Sequence, residues 1–359
     1  MAKPEDRLSA LIDSIDRWLA KDNRHLQRAI TQTVDNEYFS FEDVRHSLQV
    51  LNEELTRENL VSWGEKAGLF EQEGISDNVL CLHAGNLPLV GFQDALATLL
   101  SGARYTGKIS TKDPFLLPTF LNEVKKTDIW SGSDVQWVHR LDDLHKMLCD
   151  AVLFAGSEQS VPRVKEKISN LEMEKPGTRY LTRTAHFSVA YLDQQDEETL
   201  KHLTEGILRY GGKGCRSIAV VVSPSKLDDL RDQLEEQAGA FWKVNPQHET
   251  PGGFLEYRWA YNESVQRKQL WLEDFLYQEE GFEFDHDFIL YWKQGDEEEV
   301  AELADQWSHQ VQSIYLPDGS ESVIPGYEHE TEPLSEAQAP SIDWKPDGVD
   351  TLSWLLENS

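Results

Sequence analysis

Apolar residues recur at helical spacing near the start of the chain. Leu8, Leu11, Ile12, Ile15 and Leu19 fall on one face of a segment from Pro4 to Leu19. A second helical pattern runs from Phe41 to Leu60 through Val44, Leu48, Leu51 and Leu55. The period then changes. Asn78 to Leu82 is a short apolar run that predicts a strand, followed by a turn, His83-Ala84-Gly85-Asn86. A helix with Pro88 in its first turn and Phe92, Ala95, Leu96, Leu99 and Leu100 inward is expected next. Arg104 to Ser110 and Asp150 to Phe154 read as further strands, the latter closed by Ala155-Gly156-Ser157 and a polar helix start. From Ala185 onward the theme repeats. His186 to Leu192 is a strand, Asp196 to Leu208 a helix, Ser217 to Ser223 a strand, Leu227 to Ala238 a charged helix and Phe284 to Trp292 a strand. Alternating strands and helices predict an α/β fold with parallel sheets. Pro, Gly, Glu and Ser accumulate near Pro317, so Gly319 to Pro340 reads as an extended arm, and Asp347 to Leu356 as a short capped helix carrying Leu352, Trp354 and Leu355. The expected divisions are 1–184, 185–316 and 317–359.

The chain has 359 residues, 39% of them hydrophobic, with 11 Trp, 11 Tyr and 14 Phe. That is enough apolar material for more than one core. The net charge is −30, from 64 acidic and 34 basic residues. Such a surface repels phosphate backbones and anionic lipid, so no nucleic acid partner is expected. An anionic ligand would need local positive charge, which draws attention to basic residues beside glycine turns. No stretch is long and apolar enough to enter a membrane, and Met1 to Leu19 lacks a signal core. Three widely spaced cysteines, Cys81, Cys149 and Cys215, suggest no disulfide framework and fit a reducing cytoplasm.

One of these cysteines stands out. In Tyr210-Gly211-Gly212-Lys213-Gly214-Cys215-Arg216-Ser217, three glycines precede it and a strand follows at once. Glycine admits positive φ and close approach, so a thiol here is offered from a tight turn on a rigid strand. The same pattern also serves as a plain glycine turn with a packed cysteine. It is not a dinucleotide fingerprint, because the third glycine is missing and the turn precedes its strand. Three other places carry candidate chemistry. Asn86, in a strand-to-helix turn, is placed either to donate to an oxyanion or to cap a helix. Lys108 and Ser110 follow a strand, either to hold ribose or phosphate or as a solvated edge. Gly156 and Ser157 open a helix, where free N–H groups favour phosphate, or form a simple turn. His139, Asp143, His145 and Cys149 could suggest a metal site, but the histidine spacing is wrong for one helix face and no Cys-x-x-Cys pair exists, so no metal is expected.

In order, Gly85-Asn86-Leu87-Pro88-Leu89, Lys108-Ile109-Ser110 with Asp113-Pro114, Phe154-Ala155-Gly156-Ser157 and Gly214-Cys215-Arg216-Ser217 resemble the acyl-CoA reductase branch of the aldehyde dehydrogenase superfamily. The resemblance spans roughly Val79 to Val222, with Asp347-Gly348-Val349-Asp350-Thr351-Leu352 as a second anchor. It implies a Rossmann-type cofactor domain at 1–184 and an α/β catalytic domain from 185. It also implies Cys215 as nucleophile and Asn86, with the Cys215 N–H, as oxyanion hole. Lys108 and Ser110 would lie near the adenosine ribose, and Gly156 and Ser157 under the pyrophosphate. Aldehyde-oxidising members carry a glutamate base ahead of the cysteine. Here that region reads Arg183-Thr184-Ala185-His186-Phe187-Ser188, without a carboxylate.

The activity this implies is reduction of an activated fatty acyl group, from acyl-CoA or another thioester, to the aldehyde. NADPH is the implied cofactor, with NADH as the other nicotinamide. A homo-oligomer or an acyl-transferring protein is the implied protein partner. An aldehyde dehydrogenase or thiol acyltransferase using Cys215, and a non-catalytic scaffold whose aromatic stretch Trp259 to Phe284 meets a partner, are the alternatives. For His186 the readings are a proton-transfer part or a buried strand position.

Overall fold

The computed structural model describes residues 2–247, 250–283 and 287–357. The chain forms two compact units, 1–184 together with 341–359, and 185–340. The segment 317–359, read as one from the sequence, is thereby divided at Pro340.

The first unit holds a five-stranded parallel sheet of β1 (Asn78–Leu82), β2 (Arg104–Lys108), β3 (Val135–Val138), β4 (Cys149–Ala155) and β5 (Glu174–Arg183). Its order is β3-β2-β1-β4-β5, the doubly wound arrangement in which strand succession reverses between β1 and β4. Val79, Leu80, Cys81, Ala151, Val152 and Leu153 are fully buried, as expected of strands covered on both faces. The helix Pro4–Leu19 buries Leu8, Leu11, Ile12, Ile15 and Trp18. The apolar pattern from Phe41 to Leu60 is two helices, Phe41–Glu54 and Arg57–Lys66. The break comes at Leu55-Thr56, where the Thr56 hydroxyl accepts the Asn59 N–H at 3.1 Å and starts a new helix. A helix at Arg24–Asp35, capped by Asn23, was not foreseen because its face is thinly apolar. The helix after β1 begins at Phe92 instead of beside Pro88. Leu89 takes a left-handed φ of 57°, and its N–H donates to the Asp113 carboxylate at 2.9 Å, which turns the chain before the helix starts.

The tail helix Thr351–Glu357 completes this unit. Leu352, Leu355 and Leu356 enter its core. The Trp63 indole donates to Asp350 at 2.6 Å, and Arg183 bridges Asp94 at 2.7 Å while donating to the Thr351 hydroxyl.

The second unit holds seven strands: β6 (Phe187–Tyr191), β7 (Ile218–Ser223), β8 (Gln269–Leu272), β9 (Phe275–Glu279), β10 (Ile289–Gln294), β11 (Val311–Leu316) and β12 (Thr331–Pro333). Their order is β12-β11-β6-β7-β10-β9-β8, all parallel except the β8–β9 hairpin. The strand expected at Phe284 to Trp292 starts at Ile289; Phe284 itself lies outside the described residues. Within the aromatic stretch from Trp259, Phe275 and Tyr277 are buried in the core of the sheet, whereas Tyr261 is exposed. Segment 319–340 is not structureless either: Ile324 and Leu334 enter the core and Thr331–Pro333 adds an edge strand. The architecture is α/β in both units.

Candidate active site

In the first unit, β1 lies between β2 and β4, with Leu82 opposite both Lys108 and Phe154. The chain therefore leaves three neighbouring strands at one edge. Asn86, Ser110 and Gly156-Ser157 all follow within four residues of those ends. This edge is the carboxyl end of a parallel sheet at its point of reversal, where α/β proteins open a binding crevice.

Each residue there has a distinct state. Asn86 is exposed in a bend, and its amide makes no hydrogen bond to the described residues. Ser110 is buried, and its hydroxyl accepts the Lys112 N–H at 3.2 Å. Gly85 packs on it so closely that a Cβ would stand 1.9 Å from the Ser110 oxygen. Lys108 is half-buried with no anionic partner among the described residues, and burial lowers the affinity of its amine for a proton. Gly156 and Ser157 are exposed. Gly156 donates its N–H to the Arg183 carbonyl at 3.0 Å, and a Cβ there would lie 2.6 Å from the Phe154 ring. A short turn, Glu158–Ser160, separates Ser157 from the helix Val161–Asn170.

Two residues given no role from the sequence set this edge. The His83 imidazole is buried, shares a 2.7 Å hydrogen bond with the Tyr105 hydroxyl, and is held down to about 4, chiefly by burial. Asp113 accepts the N–H groups of Leu89 at 2.9 Å and Leu116 at 3.4 Å, pinning the Asn86 loop to the next helix. Asp113 carried a visible signal, an acidic residue before Pro114 at a helix start. A single histidine after an apolar strand carried none.

In the second unit, the helix Glu197–Leu208 leads into the cysteine turn. Tyr210, Gly211 and Gly212 are successively left-handed, with φ of 58°, 70° and 72°, and Gly214 has φ of 99°. The glycines thus take conformations that side chains resist. Ser217 closes the turn, its N–H donating to Gly214 and its hydroxyl to the Lys213 carbonyl at 2.7 Å. Cys215 is half-exposed, whereas Cys81 and Cys149 are buried. Burial pushes the Cys149 thiol up to about 11 and the Cys81 thiol higher still. His186 is exposed and precedes β6, so it is not the buried strand residue that its apolar neighbours suggested. Among the described residues no group of three or more His, Cys, Asp or Glu is placed to hold a metal, and no helix is long and apolar enough to cross a membrane.

Two wound sheets, the second carrying a cysteine turn before its central strand, define an aldehyde dehydrogenase fold. Aldehyde dehydrogenase 21 from Physcomitrella patens, in complex with the product succinate, superposes with a TM-score of 0.68 at 11% identity, over 98% of this chain and 84% of that one. An NAD-dependent aldehyde dehydrogenase from Sinorhizobium meliloti gives 0.64 at 12% over 92% and 74%. A Mycobacterium tuberculosis aldehyde dehydrogenase complexed with NAD+ gives 0.57 at 12% over 88% and 73%. No curated protein sequence matches the chain. Residues 13–305 match the acyl-CoA reductase (LuxC) family, and the chain belongs to that family. By family and fold it is an oxidoreductase of acyl and aldehyde groups.

Proposed function

We propose that this protein reduces an activated fatty acyl group to the aldehyde with NADPH, through a thioacyl-enzyme on Cys215. The observation that carries this reading is the contrast between the cysteines: Cys215 alone of the three reaches solvent, on a turn of left-handed glycines. Structural cysteines are buried and inert, whereas a nucleophile needs access and a fixed mount.

The Cys215 sulfur attacks the thioester carbonyl carbon. Asn86 and the Cys215 N–H are assigned as donors to the developing oxyanion; the amide of Asn86, exposed and unengaged, suits that part. The carbon–sulfur bond to the donor breaks, the donor thiolate leaves, and the acyl group stays on Cys215. The residues at the carboxyl edge of the first sheet suit a dinucleotide: Lys108 offers a half-buried cation without a counter-charge, and the Gly156 turn has no room for a side chain. Lys108 and Ser110 would hold the ribose side, and Gly156 and Ser157 the pyrophosphate. When bound, the nicotinamide supplies the hydride that brings the acyl carbon to the aldehyde level. The Cys215–carbon bond then breaks, releasing aldehyde and the thiolate. No carboxylate lies within 183–188 to activate water, which favours reduction over hydrolysis of the thioacyl group.

The test is aldehyde formation and NADPH oxidation with medium- and long-chain acyl-CoA, comparing the native protein with Cys215→Ala and Asn86→Ala. The cysteine variant should be inactive. The Asn86 variant should lose roughly a hundred- to a thousandfold in kcat, as for loss of one oxyanion donor. Full activity in Cys215→Ala would refute the mechanism.

A further inference from the structure

We infer that Arg216 is a positioning residue for Cys215, a role that rests on the thiol chemistry proposed above. The two residues are adjacent yet opposite in environment: Cys215 is half-exposed and Arg216 is buried. Fixing one side chain inward sets the direction of the other.

The clasp that holds Arg216 is built from one short segment. Its Nε donates to the Ala337 carbonyl at 3.0 Å, and its Nη2 to the Glu336 carbonyl at 2.6 Å. Nη2 also pairs with Glu332 at 3.0 Å. The guanidinium lies 5.5 Å from the ring centre of Tyr315, which stands opposite Glu332 in the β11–β12 register. Ser313 donates to the other Glu332 oxygen at 2.6 Å, which orients the carboxylate. On the near side, the buried Ser188 hydroxyl donates to the Cys215 carbonyl at 2.8 Å. The Cys215 carbonyl is therefore held on one side of the peptide and the Arg216 side chain on the other.

An apolar plug would fill the space beside Tyr315 without the desolvation that a buried guanidinium pays. A buried, hydrogen-bonded charge is most readily understood where it imposes one geometry. Arginine suits this because its planar fork engages two carbonyls and a carboxylate at once, which the point charge of lysine does not reproduce. Placement matters for the chemistry, since a displacement of about 1 Å at a reacting group costs on the order of a hundredfold in rate.

The test uses the full chain and two variants, Arg216→Lys and Glu332→Gln. The first readout is the burst of CoA released on mixing with acyl-CoA. Its amplitude counts intact sites and its rate reports their geometry. For Arg216→Lys we expect an amplitude near that of the native protein, an acylation rate lower by at least about tenfold, and KM for acyl-CoA within about twofold. A merely structural role would reduce amplitude and leave the rate. The second readout is alkylation of Cys215 by iodoacetamide, which needs no substrate, and it should slow by about threefold or more in the same variant. Glu332→Gln keeps the acceptor and removes the charge, and should show the same signs at smaller size. If Arg216→Lys does not fold, Glu332→Gln decides alone. Rates of acylation and alkylation within twofold of native would overturn the role of Arg216. Activity surviving Cys215→Ala would instead overturn the nucleophile assignment, so the two failures are distinguishable.

Discussion

His83 and Tyr105 share a 2.7 Å hydrogen bond at the carboxyl edge of the first sheet, with both rings buried. Burial holds the imidazole neutral down to about 4, and Lys108 acts in the same direction, while Asp94 opposes them. An unfolded histidine takes up its proton near 6.5. Between those values the unfolded chain binds the proton and the folded chain does not. Stability from this group is therefore complete above about 6.5 and is lost as pH falls toward 4. Two to three pH units correspond to about 3 kcal/mol. Urea unfolding from pH 7.5 to 4 should show this loss, and His83→Gln should flatten it. An equally steep curve in the variant would remove His83 as its source.

The cysteines should separate by reactivity. Under native conditions iodoacetamide should modify Cys215 and leave Cys81 and Cys149 untouched until urea opens the chain, because burial raises both of those thiols. Peptide mass spectrometry reads the outcome directly. A Cys215 as inert as the other two would favour the scaffold reading over the enzyme.

Gly85→Ala would bring a Cβ to 1.9 Å from the Ser110 hydroxyl and 2.5 Å from its Cβ. No side-chain rotation relieves both contacts, so the loop carrying Asn86 must shift. Overpacking of this kind costs about 1–3 kcal/mol. The expected result is a lower unfolding midpoint together with reduced turnover. Adding Ser110→Gly should recover most of the stability; a double variant as unstable as the single one would place the strain elsewhere.

Asp350→Ala removes the acceptor of the Trp63 indole, at 2.6 Å, and of the Ser353 N–H at the start of the tail helix, also at 2.6 Å. A buried donor is left unsatisfied and a helix cap is lost, together costing about 2–4 kcal/mol. Thermal unfolding with Asp350→Asn alongside tests this, since the amide retains one acceptor and should cost less.

Much of this was legible because the central strands are continuous apolar runs. Asn78–Leu82 and Ile218–Ser223 sit where their composition puts them, and the glycines before Cys215 take the left-handed backbone that their spacing implies. The Cys215 turn and the Asn86 loop could therefore be found from local pattern. Strand β5 could not. It includes Lys175, Pro176 and Gly177, the last at φ of 89°, and only pairing with β4 makes it a strand. Strands Gln269–Leu272 and Phe275–Glu279 lie inside the stretch Trp259 to Phe284, where core and partner surface stayed alternatives because a strand lining a core and a strand facing a partner use the same residues. The clasp on Arg216 was invisible for a different reason: its partners Glu332, Glu336 and Ala337 lie more than a hundred positions away, and sequence spacing carries no information on that range.

The return of segment 341–357 to the first unit makes the second unit an insert within the first. Residues 185–340 are contiguous, so the second unit draws its core from one unbroken stretch of chain. The first unit is discontinuous and gathers its core from both sides of that stretch, with Leu352, Leu355 and Leu356 supplied by the returning segment. Loss of the segment from 341 onward would therefore leave the first unit's core incomplete while the stretch that builds the second unit stayed whole.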